Sequence, residues 1–186
     1  MNNIKDESQL KKAKEALANI EKVKKHFHEL GLDSSQLHGP EGEALALYVI
    51  QVIIRDKDYR PSPPREPNID GIGEKGRYSV KYWSPILNKN KRGESNKIQL
   101  NSDLNFDWLF VVTPTSIYNI PREKIVKPLG EGRGRPSPEL AQKAIDQGLI
   151  TYTTQKDKYS ITDSDRNLEI LEEHYKICEN NFDFSK

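Results

Sequence analysis

Between residues 5 and 30, apolar side chains recur at Leu10, Ala13, Leu17, Ile20, Val23, Phe27 and Leu30. This spacing of three and four gathers them on one face of a long helix that Gly31 ends. Such a helix serves as an arm lying on a core or as a dimer contact. A loop from Leu32 to Pro40 follows, and then the most apolar segment, from about Glu41 to Ile54. There Leu45, Tyr48, Val49, Gln51, Val52 and Ile53 leave almost no polar face, so a second helix packed against a sheet is expected. Glu43 stands near its N-terminus, where the helix dipole favours a negative charge.

The pattern changes at Arg60 to Pro67, where four prolines exclude a helix or a central strand and predict an extended connection. Asn68 to Ile72 is short, Gly73 to Gly76 reads as a turn, and Arg77 to Trp83 alternates as a strand. Tyr78, Val80 and Tyr82 then point one way, and Ser79, Lys81 and Trp83 the other. Asn88 to Lys97 reads as a basic loop. Trp108 to Thr113 is a continuous apolar run suited to a sheet centre, with Ser116 to Ile120 as its neighbour across Pro114.

Gly130 to Pro136 reads as a hinge, and Ser137 as the cap of a helix that opens with Pro138 and Glu139 and stops at Gly148. A hairpin of Leu149 to Thr153 and Tyr159 to Thr162 follows, then an acidic helix from about Asp165 to Cys178. These elements predict an α/β fold, a mixed central sheet flanked by helices. They divide into an N-terminal helical arm (1–38), a core (39–129), and a hinge with a C-terminal helix-hairpin-helix extension (130–186).

Composition narrows the function classes. The chain has 186 residues, 34% hydrophobic and 31% charged, with a formal net charge of +1. That is enough for one core, while a uniformly basic chromatin-type protein is excluded. Cys178 is the single cysteine, so neither an internal disulfide nor a thiolate zinc site can form, and a cytoplasmic setting is expected. The apolar stretch from Ala44 to Ile54 is too short to span a bilayer, and the polar N-terminus does not resemble a secretory signal. His26, His28, His38 and His174 show no helical ligand pair, and no Walker-type or dinucleotide glycine motif is present.

Charge is concentrated locally. Between Lys75 and Lys97 seven basic residues (Lys75, Arg77, Lys81, Lys89, Lys91, Arg92 and Lys97) face one acid, Glu94, so a polyanion would be drawn to this stretch. Arg133-Gly134-Arg135-Pro136 matches the core of an AT-hook, in which arginines enter a narrow minor groove.

The segment that bears chemistry is Pro67-Asn68-Ile69-Asp70, followed after a turn by Tyr78-Ser79-Val80-Lys81-Tyr82-Trp83. An aspartate from one hairpin arm and a lysine from the next bring functional groups to one sheet edge. This arrangement resembles the PD-(D/E)XK nuclease superfamily, the restriction-endonuclease-like fold, over roughly Gly39 to Ile120. The resemblance implies that Asp70 matches the motif aspartate, Lys81 the motif lysine and Glu43 the helical glutamate, with Asp70 and Glu43 holding Mg²⁺ (Mn²⁺ as a substitute). Ser79 stands where the family usually has an acid and offers a neutral hydroxyl instead. The function so implied is a sequence-specific endonuclease of restriction type that hydrolyses double-stranded DNA as a homodimer, with no membrane partner. The alternative is a non-catalytic DNA-binding protein or regulator on a degenerate nuclease fold.

Overall fold

A computed structural model describes residues 3–30, 37–62, 69–83, 97–101, 103–127, 137–155, 158–162 and 164–182. The fold is mixed α/β. Helices α1 (Asn3–Glu29) and α2 (His38–Val52) lead into a sheet of six strands in the order β1-β2-β3-β5-β6-β10, and a second sheet of four has the order β4-β9-β8-β7. The first sheet contains β1 (Arg60–Pro61), β2 (Gly71–Gly73), β3 (Gly76–Tyr82), β5 (Trp108–Val112), β6 (Ser116–Pro121) and β10 (Lys176–Glu179). The second contains β4 (Lys97–Asn101), β7 (Ile125–Val126), β8 (Ile150–Gln155) and β9 (Lys158–Thr162). Helices α3 (Pro138–Asp146) and α4 (Asp165–Ile170) complete the set.

Strand alternation explains the layering. On β5, Phe110 and Val112 join Tyr78 and Val80 of β3 in a core with α2 and with Ala13 and Leu17 of α1. Leu109 and Val111 face the opposite way, into a second core with Ile98, Leu100, Ile150, Ile161 and Leu171. The continuous apolar run predicted at the sheet centre is therefore apolar because both of its faces are covered. Strands β3 and β5 pair in parallel, with Ser79 opposite Leu109 and Lys81 opposite Val111, while every other pairing in this sheet is antiparallel.

The hairpin of β2 and β3 is fastened from below by the chain leaving α2. Asp56 is fully buried, and its carboxylate accepts bonds from the amides of Glu74 (2.9 Å) and Lys75 (3.0 Å) and from the Tyr78 hydroxyl (3.0 Å). A β-carbon at Gly73 would overlap that carboxylate, and one at Gly71 would overlap the Tyr59 ring, so close approach requires glycine at both places. Gly76, with φ at +126°, closes the turn in a backbone region that other residues rarely adopt.

Two sequence expectations change. Lys97 opens strand β4 instead of closing a loop, because Ile98 and Leu100 alternate into the second core. The last helix is shorter than the acidic run suggested: α4 ends at Ile170, a π-helical turn spans Leu171–Tyr175, and Lys176–Glu179 is β10. Its extended backbone pairs with the edge of β6, while the Asn180 amide and side chain bond to the carbonyls of Thr115 (2.8 Å) and Thr113 (2.7 Å). Strand pairing runs across residue 130: β4 pairs with β9, β7 with β8, and β10 with β6. By contrast, Ser137 caps α3 through a bond from the Leu140 amide, and Gly148 follows the helix with φ at +62°, as the sequence suggests.

Replacing Asp56 by Ala removes the acceptor of three donors, of which the Tyr78 hydroxyl is buried while the Glu74 and Lys75 amides belong to exposed turn residues that water can reach. A buried donor left unpaired costs on the order of 1–3 kcal/mol, so Asp56→Ala is expected to lower unfolding stability by about that amount in a urea titration.

Candidate active site

Asp70 lies immediately before β2, and its carbonyl and amide extend the pairing: Ser62 N–H donates to its oxygen (3.1 Å), and it donates to Tyr78 O (2.8 Å). Its side chain crosses to β3. There Oδ2 accepts from the Val80 amide at 2.7 Å and the Ser79 hydroxyl at 3.2 Å, and it stands 3.6 Å from Lys81 Nζ. Asp70, Ser79 and Lys81 are thus brought together on one face. Ser79 is nearly enclosed at 2% exposure, whereas the side chains of Asp70 and Lys81 keep 31% and 33%. A carboxylate fixed by a main-chain amide, beside a lysine and open to solvent, can bind a cation or orient a polarised water.

Glu43 stands on α2. Helix α2 covers the face of β3 that carries Val80 and Tyr82, as the position of Gly42 beneath these two residues shows, whereas Ser79 and Lys81 occupy the opposite face. Glu43 is exposed and lines a groove of about 350 Å³ with Lys12, Leu47 and Pro61. Among the described residues, no hydrogen bond or ion pair joins it to Asp70. Both acids act on Tyr59: burial raises its hydroxyl pKa well above its ordinary value, and the charges of Asp70, Glu43 and Asp56 push it further in the same direction.

The basic residues expected to meet DNA are distributed differently from one another. Arg77 is engaged by Asp107, through its amide (2.8 Å), Nε (3.1 Å) and a second guanidinium nitrogen (3.3 Å), and by Asn105. Lys75 Nζ donates to the Ile54 carbonyl at 2.7 Å. Lys97 is exposed on β4, at the edge of the second sheet. Lys89, Lys91, Arg92, Arg133 and Arg135 lie outside the described residues.

Asp56 and Tyr59, which brace the hairpin of β2 and β3, carry no signal in the sequence that marks them out. Asp56 sits within Arg55-Asp56-Lys57-Asp58, a charged run that reads as a solvated helix exit, and only the fold shows that its carboxylate turns inward. Among the described residues no cluster of three or more histidine, cysteine or acidic side chains gathers as a metal site, and no helix is long and apolar enough to cross a membrane. The chain matches no family model, no curated protein and no solved structure.

The Arg77 guanidinium hydrogen-bonded to Asp107 holds that carboxyl below its ordinary range. With the folded pKa depressed, the pair's contribution to stability is present above the unfolded value and fades as pH falls through the folded one. Carboxyl NMR titration is expected to show Asp107 moving up toward its ordinary value in Arg77→Gln, and that variant should lose the matching part of its acid sensitivity.

Proposed function

We propose that the chain is a Mg²⁺-dependent DNA endonuclease with a restriction-endonuclease-like core, in which Asp70 and Lys81 form the reacting edge. The observation that carries this reading is the 3.6 Å approach of Lys81 Nζ to an Asp70 carboxylate held by the Val80 amide, on a face open to solvent. Mg²⁺ is commonly bound through only one or two carboxylates, with water and substrate oxygens completing its shell. Asp70 suits that role because the three donors around it all sit at Oδ2, leaving Oδ1 for a cation. When bound, the ion supplies a Lewis acid for the phosphoryl group and a water of lowered pKa.

The chain's own groups do the rest. The Val80 amide and Ser79 hydroxyl fix the carboxylate, so its position is set before substrate arrives. Lys81 offsets negative charge gathering on the phosphoryl oxygens and holds the attacking water by hydrogen bonding. Exposed Lys97, with the basic residues at 89, 91, 92, 133 and 135, supplies attraction to the DNA backbone. Each chain holds one such edge, so two copies are needed to cut both strands, and a homodimer belongs to the proposal.

Ser79 favours a second reading. Its buried hydroxyl braces Asp70 where a second carboxylate would bind metal, which suits a DNA-binding protein that does not cut.

Plasmid DNA incubated with the full chain and Mg²⁺ or Mn²⁺ separates the two. Cleavage is expected, reduced at least about a hundredfold by Asp70→Asn and by Lys81→Ala, with DNA binding by Lys81→Ala within about threefold of wild type. DNA bound but left intact by the wild type would favour the second reading. Sedimentation as a monomer with and without DNA would remove the dimer.

A further inference from the structure

The second sheet has one face on a core and one turned away from it. Ile98 and Leu100 of β4, Ile161 of β9, and Ile150 and Tyr152 of β8 all belong to the core shared with Leu109 and Val111. Side chains alternate along a strand, so Lys97 and Gln99, Ser160 and Thr162, and Thr151 and Thr153 stand on the far face. The ladder aligns them. Gln99 lies opposite Ser160, and Ser160 opposite Thr153. Lys97 lies opposite Thr162, with Thr151 one step beyond the pair of Tyr152 and Ile161. Neighbouring strands are about 4.8 Å apart, so the six side chains form two rows across three strands.

Each of these six positions carries a hydroxyl, an amide or a cation, and none is acidic or aromatic. Lys97, Gln99 and Thr153 are exposed, so the face is open to a partner. Arg166, in the first turn of α4, adds a second cation. Its guanidinium donates to the Thr151 hydroxyl at 2.8 Å, and among the described residues no ion pair neutralises it.

Lysine, arginine, serine, threonine and glutamine are the side chains that hydrogen-bond the phosphate and sugar oxygens of a duplex, and two cations without an acid attract such a polyanion. Single strands are instead held by bases stacking on aromatic side chains, which this face lacks.

We infer that the far face of the second sheet docks the phosphodiester backbone of double-stranded DNA without reading its bases, on a different sheet from Asp70 and Lys81. The inference rests on the nuclease reading for the choice of DNA as the polyanion. It goes beyond that reading in assigning the surface, since Gln99, Thr153 and Arg166 have no part in the proposed hydrolysis.

Binding is read by fluorescence anisotropy on short labelled duplexes of two unrelated sequences, with the full chain in EDTA so that nothing is cut. Gln99→Glu and Thr153→Glu put an acid on exposed positions of the face, and each is expected to weaken binding about tenfold for both sequences. Lys97→Ala and Arg166→Ala should each lower the slope of log affinity against log salt by about 0.9, the loss of one phosphate contact. Lys22→Glu, at an exposed site of α1, changes the net charge more than either acid on the face and should bind within about twofold of wild type. Thermal unfolding identifies any variant that loses its fold, and with two exposed positions on the face either one suffices.

Folded Gln99→Glu or Thr153→Glu binding as tightly as wild type, or an unchanged salt slope in both alanine variants, would overturn the inference. So would equal weakening by Lys22→Glu, or displacement of the duplex by a single strand of the same length. If wild type cuts plasmid while the face variants bind normally, the nuclease reading stands and the docking face falls. Duplex binding weakened by the face variants, with plasmid left intact, upholds the face and removes only hydrolysis. No duplex binding by wild type overturns both.

Discussion

Asp56 leaves the end of α2 fully buried and delivers its carboxylate into three hydrogen bonds with the hairpin of β2 and β3. This contact joins the helical layer to the strands that carry Asp70 and Lys81. A buried charge is tolerable only when its oxygens are satisfied, so the two turn amides and the Tyr78 hydroxyl fix where the hairpin can lie. The Tyr59 ring packs edge-on against Tyr78 at 5.2 Å and fills the space that glycine leaves at position 71. Hairpin and helix exit thus form one braced unit, and the carboxylate of Asp70 projects from its outer side.

Electrostatics divides the basic segment into internal and external roles. Arg77 is drawn into a two-pronged pair with Asp107, and Lys75 is tied to the chain end of α2, so both reinforce the hairpin while their side chains keep contact with solvent. Lys81 differs because both oxygens of Asp107 are taken up by Arg77, whereas the contacts of Asp70 fall on Oδ2 and leave the ammonium beside a carboxylate with an uncommitted oxygen. A shared position in a positively charged stretch therefore says little about what each side chain does. That depends on which acid or carbonyl lies within reach after folding.

The C-terminal chain is part of the same architecture. Strands β8 and β9 pair with β4 and β7, and the last strand returns to the edge of β6, so residues on both sides of 130 build both sheets. Lys176 bridges Glu172 and Glu179, and the Tyr118 hydroxyl bonds to Glu172, which anchors the π-helical turn to the sheet it rejoins. An exposed sheet edge is covered in this way by a segment whose composition resembles a helix.

The helices α1, α2 and α3, the alternation of β3, the apolar strand β5 and the hairpin of β8 and β9 were all legible in the sequence, because each follows from periodicity or from local cap and turn chemistry acting over a few residues. The pairing of Asp70 with Lys81 on one edge was also foreseeable, since alternation and a short turn bring them close. Tertiary packing decided the rest. Asp56 turned inward from a charged run, and Lys176–Glu179 became a strand to satisfy the edge of β6. In each case the outcome depends on a partner distant along the chain, and no local pattern records which face or edge that partner will offer.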